Sequence, residues 1–141
     1  MNEETIYQEY NGSETVNFII NYIGKEGVWA LYGQENDGSP DVCLNVGKCK
    51  DVGQEIVFDL GRLHFVPFRK NADRRYINQF KEDCGFSYEQ GQVQEYLYPY
   101  LATKYHAFRF IYIHDKADIE VEAAYATNNH AQFWRNGRPY K

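Results

Sequence analysis

The stretch GVWALYGQENDGSPDVCLNVGKCK, residues 27–50, decides the fold of this chain. Its segments GVWALYG (27–33) and VCLNV (42–46) are short and rich in β-branched and aromatic residues, as strands are. Between them lies ENDGSPD (35–41), in which glycine, proline, asparagine and aspartate favour a turn. These residues predict a β-hairpin, followed by a loop that begins with Gly47.

Two stripes of apolar residues at helical spacing flank this hairpin. Upstream, Ser13 is suited to be an N-cap and Gly24 to end a helix, so residues 13–24 are predicted to be helical. A second helix is predicted after Gly47, although Gly61 favours an early end to it. The upstream stripe consists of Val16, Ile19, Ile20 and Ile23, and the downstream stripe of Val52, Ile56, Val57, Leu60 and Leu63.

The middle of the chain contains weaker signals. FVPF (65–68) is predicted to be a short extended piece, because its proline is unsuited to a central strand. NADRRYINQFKED (71–83) is predicted to be a basic helix. Apolar residues between 93 and 101 predict another helix, which Pro99 should kink or interrupt.

The clearest strand in the sequence is HAFRFIYIH (106–114), which is dense in aromatic and β-branched residues. After it, Asp118 can cap a last helix through EVEAAYATNN. The expected fold is therefore α+β: a small three-stranded sheet, made of the N-terminal hairpin plus this later strand, flanked by helices.

Length and composition favour one compact domain. The 141 residues, 43% of them hydrophobic, suffice for a single core, with residues 1–25 as an N-terminal extension and helix and residues 26–136 as the main body. No apolar run approaches the roughly 18 residues of a membrane span. The N-terminus lacks the pattern of a signal peptide, so a cytoplasmic location without membrane association is expected.

Cysteine and histidine spacing gives no sign of a structural metal or of disulfides. The three cysteines include no CxxC pair, and the four histidines show no ligand spacing. The cysteines are expected to be small buried side chains or free thiols, and the histidines to be structural or on the surface.

Charge is distributed unevenly along the chain, whose formal net charge is -5. Residues 1–47 carry eight acids and one base, whereas residues 48–81 carry eight bases and four acids. The overall acidity argues against non-specific binding of nucleic acid, while the local basic segment allows a directed contact.

The predicted order of elements resembles that of the GIY-YIG nuclease family over residues 26–136. In that family two signature tripeptides lie on the paired strands of a hairpin, and a catalytic glutamate lies on the final helix. Here Gly27-Val28-Trp29 resembles the first tripeptide and Asn45-Val46-Gly47 the second. Lys48-Cys49 stands where the family often has a basic residue before Ser or Thr, and Asn136 resembles the asparagine that often closes the domain.

The resemblance implies phosphodiester hydrolysis assisted by Mg²⁺ or another divalent metal. Glu122 matches the metal-binding glutamate, and Arg62 is the candidate for the arginine that supports charge on the phosphoryl oxygens. Lys48 is a candidate basic partner in activating the nucleophile. Tyr32 is the candidate replacement for a signature tyrosine.

The resemblance also implies nucleic acid, with DNA favoured, as the partner. The candidate contacts are basic residues after the hairpin. They are Lys50, Arg69, Lys70, Arg74 and Arg75.

The sequence departs from the family at both signature tyrosines. Trp29 replaces the first and Asn45 the second, and neither an indole nor a carboxamide can act as a general base near neutral pH. Two alternatives to an endonuclease therefore stay open. One is a catalytically inactive GIY-YIG-like module that binds nucleic acid or a protein, and the other is an acidic protein-interaction domain of the inhibitor type.

Overall fold

The computed structural model describes residues 3–64 and 93–134. These residues form one mixed sheet of six strands in the order β2-β1-β5-β3-β4-β6, with three α-helices. The strands are β1 (Glu4–Gln8), β2 (Thr15–Val16), β3 (Gly27–Gln34), β4 (Val42–Cys49), β5 (Ala107–His114) and β6 (Phe133–Trp134). The α-helices are α1 (Val52–His64), α2 (Val93–Lys104) and α3 (Ile119–Asn128), and short 3₁₀ helices span Tyr10–Gly12 and Ile19–Tyr22.

The predicted hairpin is confirmed. Strands β3 and β4 pair antiparallel from Gly27 opposite Cys49 to Gly33 opposite Val42, with an irregularity between Leu31 and Tyr32. The predicted later strand is also present, because β5 pairs antiparallel with the other side of β3. Every residue of β3 is buried, since β3 is covered on both faces and flanked by β4 and β5.

The prediction of a small three-stranded sheet is wrong, because three further strands extend it. Strand β1 pairs antiparallel with β5, β2 pairs with β1, and β6 runs parallel to β4. Both edge strands, β2 and β6, have only two residues, too few for a visible alternation. The pairing of Thr5 with Ile111 also joins residues far apart in sequence, which no local pattern indicates.

The prediction of a helix over residues 13–24 is also wrong. Strand β2 and a 3₁₀ helix occupy this segment instead. The backbone N–H of Asn17 donates to the carbonyl of Ile6 at 2.8 Å, so the segment is tied to β1 rather than to itself. In a 3₁₀ helix residues three apart share a face, which places Ile19 and Tyr22 toward the core.

The sheet separates two apolar clusters. On one face, called the α1 face, Trp29, Leu31 and Phe110 pack with α1, α2 and the Ile19–Tyr22 turn. On the opposite face, called the α3 face, Val28 and Ala30 pack with α3. The alternation of side chains along β3 accounts for this division.

The other predicted elements have mixed outcomes. Helices α1, α2 and α3 are present where helices were expected, and α2 continues through Pro99. The predicted pieces at 65–68 and 71–83 lie outside the described residues. None of the helices in the described ranges is long and apolar enough to span a bilayer.

Candidate functional site

The four candidate catalytic residues lie on both faces of the sheet. Tyr32 and Glu122 belong to the α3 face. Lys48 lies opposite Val28 in the β3–β4 ladder, and directly opposed residues share a face, so Lys48 is on the α3 face as well. Arg62 is on α1, across the sheet from the other three. The sheet therefore brings three of the four candidates to one side and excludes the arginine.

Glu122 is held inside the protein by the start of α3. The Asp118 carboxylate accepts hydrogen bonds from the backbone N–H groups of Glu120 at 2.8 Å and Val121 at 3.3 Å, which confirms the predicted N-cap. One turn later, the Glu122 side chain is fully buried. Its Oε1 accepts a hydrogen bond from the indole N–H of Trp134 at 2.7 Å. Glu122 thus links α3 to β6.

The described residues do not fit a divalent metal at Glu122. A protein site for Mg²⁺ needs carboxylate or carbonyl oxygens that share the ion with several waters, and a buried carboxylate on an indole donor does not offer that. Within residues 3–64 and 93–134, no group of three or more His, Cys, Asp or Glu side chains could hold a metal ion.

Tyr32 is placed as a structural tyrosine. Its hydroxyl lies 2.5 Å from the hydroxyl of Tyr125 on α3, and the Arg109 guanidinium stands 4.4 Å from the centre of its ring. Burial raises the pKa of Tyr32 to about 12, although the hydrogen bond to Tyr125 and the charge of Arg109 act in the opposite direction. With this pKa the phenol stays protonated near neutral pH and is a poor general base.

A charged group missed by the sequence reasoning lies beside Tyr32. Arg109 donates to Oδ2 of Asp41 from Nη2 at 2.9 Å and from Nε at 3.1 Å, and the hydroxyl of Tyr10 donates to the same oxygen at 2.8 Å. The signal that could have found Arg109 is the alternation of HAFRFIYIH, which puts it on the same face as Ile111. This group fastens the β3–β4 turn to β5.

The two positions matched to the signature tyrosines lie on the α1 face. Trp29 is fully buried, and Gly47 opposite it leaves room for the indole, since a Cβ at Gly47 would come within 2.5 Å of the ring. Asn45 is buried and donates to the hydroxyl of Tyr98 at 3.0 Å. Neither position shares a face with Glu122.

Asn45 begins a buried polar network that includes Arg62. The Tyr98 hydroxyl donates to Asp59 Oδ2 at 3.1 Å, and Arg62 donates to Asp59 Oδ1 at 3.0 Å. Asp59 is fully buried, so its contacts with Tyr98 and Arg62 offset the cost of burying a carboxylate. Arg62 therefore has a structural partner on α1.

Of the candidate nucleic-acid contacts, Lys50 is exposed directly after β4. The other four, Arg69, Lys70, Arg74 and Arg75, lie outside the described residues, as does Asn136.

No family model, no curated protein and no solved structure matches this chain. The GIY-YIG resemblance therefore rests on the sequence motifs and the order of elements alone.

Alkaline pH is expected to unfold the protein through its buried tyrosines. Burial raises the pKa of Tyr32 to about 12, and burial together with the hydrogen bond to Glu4 raises the pKa of Tyr22 to about 12. Tyrosines in the unfolded chain ionise near pH 10, so the stability from these neutral phenols is complete below about pH 10 and is lost between about pH 10 and 12. Tyrosinate absorbance and far-UV circular dichroism, followed together, should change in that window.

The substitution Tyr32→Phe provides the control for this titration. It removes one of the phenols with a raised pKa. The tyrosinate absorbance that appears between about pH 10 and 12 should therefore be smaller by the contribution of one tyrosine. The interpretation fails if all tyrosines ionise near pH 10 while the fold stays intact.

Proposed function

We propose that this chain is a non-catalytic interaction domain that binds a basic segment of a partner protein. The observation that carries this proposal is the partition of charge. Residues 3–64 and 93–134, which form the folded sheet and its helices, contain sixteen acidic and seven basic side chains, a formal charge of -9. Asp59 and Glu122 are buried, and the other fourteen acids still outnumber the seven bases by two to one. An excess of carboxylates attracts cationic segments and repels phosphates.

The positions of the candidate catalytic groups support the non-catalytic part of the proposal. Glu122 is buried against Trp134, and Tyr32 is a buried phenol with a raised pKa. Arg62 is bonded to Asp59 on the opposite face of the sheet. Phosphodiester hydrolysis needs its acid–base and charge-stabilising groups around one solvent-accessible phosphate.

Fluorescence anisotropy can test the direction of charge preference. The probes are a labelled oligolysine of about 20 residues, a neutral Gly/Ser peptide of the same length and a labelled DNA duplex, each at about 0.05 and 0.3 M NaCl. At low salt we expect oligolysine to bind at least about tenfold more tightly than either control, a difference of about 1.4 kcal/mol that salt should reduce. Tighter binding of DNA than of oligolysine would overturn the proposal.

A second candidate function is nucleic-acid cleavage by a divergent GIY-YIG-like endonuclease. Three observations favour it. From β3 to α3 the described strands and helices occur in the order hairpin, helix, helix, strand, helix, and Tyr32, Lys48 and Glu122 share the α3 face. Eight of the fifteen basic residues also lie outside the described ranges.

Plasmid nicking with Mg²⁺ or Mn²⁺ tests this second candidate. Lys48→Ala and Arg62→Lys are the informative variants, because Lys48 reaches solvent in part and a lysine at position 62 keeps a cation for the buried Asp59 carboxylate. Metal-dependent nicking that both variants abolish would favour the endonuclease. No cleavage of DNA or RNA by the wild-type chain would favour the interaction domain.

A further inference from the structure

The 3₁₀ helix Tyr10–Gly12 contains the dipeptide Asn11-Gly12, and both of these residues are exposed. In an asparagine followed by glycine, the backbone nitrogen of the glycine can attack the side-chain amide of the asparagine. Glycine has no Cβ that would obstruct this approach, so the pair is open to the reaction. Among residues 1–25, Asn11 is the only asparagine that precedes a glycine.

Two neighbouring side chains fasten this 3₁₀ helix to the turn between β3 and β4. The Oδ1 atom of Asn11 accepts a hydrogen bond from the backbone N–H of Gly38 at 2.7 Å. The hydroxyl of Tyr10 donates to Oδ2 of Asp41, further along the same turn, at 2.8 Å. These two hydrogen bonds together are called the turn latch below.

The backbone of Asn11 has a left-handed conformation, with φ 58° and ψ 33°. Attack on the side-chain amide forms a five-membered succinimide ring, which needs the Gly12 nitrogen on the same side of the Asn11 Cα–C bond as Cβ. Tetrahedral geometry at Cα places this arrangement at a ψ of about −120°, roughly 150° from the observed value. The attacking nitrogen is therefore almost anti to Cβ, and the ring cannot close while Asn11 keeps this conformation.

A rotation of this size requires the 3₁₀ helix to open. It would separate the backbone N–H of Ser13 from the carbonyl of Tyr10, which it now meets at 3.1 Å. The left-handed conformation of a residue other than glycine persists where surrounding contacts hold it. The turn latch supplies such contacts, so it resists the rotation that the reaction needs.

We propose that Asn11 is a site of spontaneous deamidation whose rate is set by the opening of the turn latch. Once the latch opens, the Gly12 nitrogen bonds to Cγ of Asn11, the bond from Cγ to the side-chain nitrogen breaks, and ammonia leaves with the proton of the Gly12 amide. Water then adds to either carbonyl of the succinimide, and the ring opens to aspartate or isoaspartate. The net reaction consumes one water, releases one ammonia and adds one negative charge to the chain.

The two products have different effects on the turn latch. Aspartate at position 11 keeps an oxygen that can accept the N–H of Gly38, so the latch can close again. Isoaspartate carries the main chain through the former side chain and lengthens it by one methylene group, which is incompatible with the left-handed turn and its contact to Gly38. Formation of isoaspartate therefore permanently separates the 3₁₀ helix from Gly38.

Peptide mass spectrometry after incubation of the purified chain at mildly alkaline pH measures the rate at Asn11. Trypsin releases residues 1–25 as one peptide, and fragmentation distinguishes Asn11 from its other asparagines. The synthetic peptide QEYNGSE, residues 8–14, gives the rate in the absence of the fold. Because the reaction needs local opening, we expect Asn11 in the folded chain to deamidate at least about tenfold more slowly than in this peptide.

Tyr10→Phe tests the role of the turn latch. It removes one of the two hydrogen bonds and keeps the aromatic ring, so the rate at Asn11 should rise about three- to tenfold. The matched control is Tyr112→Phe, which removes a hydroxyl that donates to the carbonyl of Glu26 at 2.9 Å, near the other end of β5. This control should leave the rate at Asn11 unchanged.

A second measurement opens the latch without any substitution. In denaturing urea, the wild-type chain should deamidate at Asn11 as fast as the free peptide. Circular dichroism verifies that each variant is folded before incubation.

The outcomes decide the inference without reference to partner binding. Slow reaction of the folded wild type, accelerated by Tyr10→Phe and by urea, supports it. A folded wild type that reacts as fast as the free peptide would overturn it, as would equal rates in Tyr10→Phe and Tyr112→Phe. None of these results depends on oligolysine, so failure here leaves the proposed function standing.

Discussion

Gly53→Ala is expected to lower the free energy of unfolding by about 2–3 kcal/mol, because a Cβ there has no space. It would approach the Ile23 nitrogen to 2.6 Å and the Tyr22 carbonyl carbon to 2.7 Å. Both are backbone atoms, so a rotamer change cannot relieve the overlap, and the 3₁₀ helix must move away from α1. Thermal unfolding by circular dichroism should show the loss as a melting temperature lower by about 5–10 °C.

The matched control is the same glycine-to-alanine substitution further along α1. Gly61 also lies in α1, but a Cβ there meets nothing within 4 Å. Gly61→Ala should therefore stabilise the protein by about 0.5–1 kcal/mol, since alanine has the higher helix propensity. Equal effects of the two substitutions would show that Gly53 is not packed against Ile23 as described.

These two glycines illustrate how far the sequence can be interpreted. Helical spacing predicts α1, and Gly61 favours an early end to it, yet α1 continues through Gly61 to His64. Nothing in the spacing indicates that Gly53 meets the backbone at Ile23, a contact between segments about thirty residues apart. Local patterns give the helix, whereas the close packing depends on the tertiary fold.

The same distinction explains the sheet. Strands β3, β4 and β5 were predictable because each has eight residues with a strong local composition. The two-residue strands β2 and β6 exist only because longer strands offer them a partner. The stripe from Val16 to Ile23 led to a wrong helix prediction. Its apolar spacing fits the buried side of a helix, whereas in the structure Val16 and Ile23 are exposed.

For the candidate site, the sequence predicts on which helix or strand a residue lies better than it predicts the burial and the partners of that residue. Asp118 caps α3 and Glu122 follows on its first turn, as expected. The hydrogen bond to Glu122 comes from Trp134, which lies on a parallel edge strand that no local pattern predicts. Arg62 and Glu122 lie on opposite faces of the sheet because α1 packs on one face and α3 on the other, which no local pattern predicts.

Glu122→Ala is expected to cost about 2–3 kcal/mol of stability, whatever the function, because it leaves the Trp134 indole N–H without this acceptor and opens a space in the core. Strand β6 should loosen from β4, since Trp134 is one of its two residues. Denaturant unfolding measures the loss, and a red shift of the tryptophan emission should report the exposure of Trp134. Trp29 remains buried on the other face and supplies the unchanged part of the signal.

Two companion variants separate a structural Glu122 from a catalytic one. Glu120→Ala changes an exposed glutamate on the same helix and should alter stability by less than about 0.5 kcal/mol. Glu122→Gln keeps an oxygen that can accept the indole N–H, so it should retain most of the stability that Glu122→Ala loses. A metal-binding glutamate would behave differently: Glu122→Gln would abolish nicking, and Glu122→Ala would leave the stability unchanged. A structural Glu122 predicts a loss of stability in Glu122→Ala that Glu122→Gln largely avoids, whereas a metal-binding Glu122 predicts a loss of nicking in Glu122→Gln without a change of stability in Glu122→Ala. This pair of substitutions therefore tests whether Glu122 takes part in chemistry or holds the sheet together.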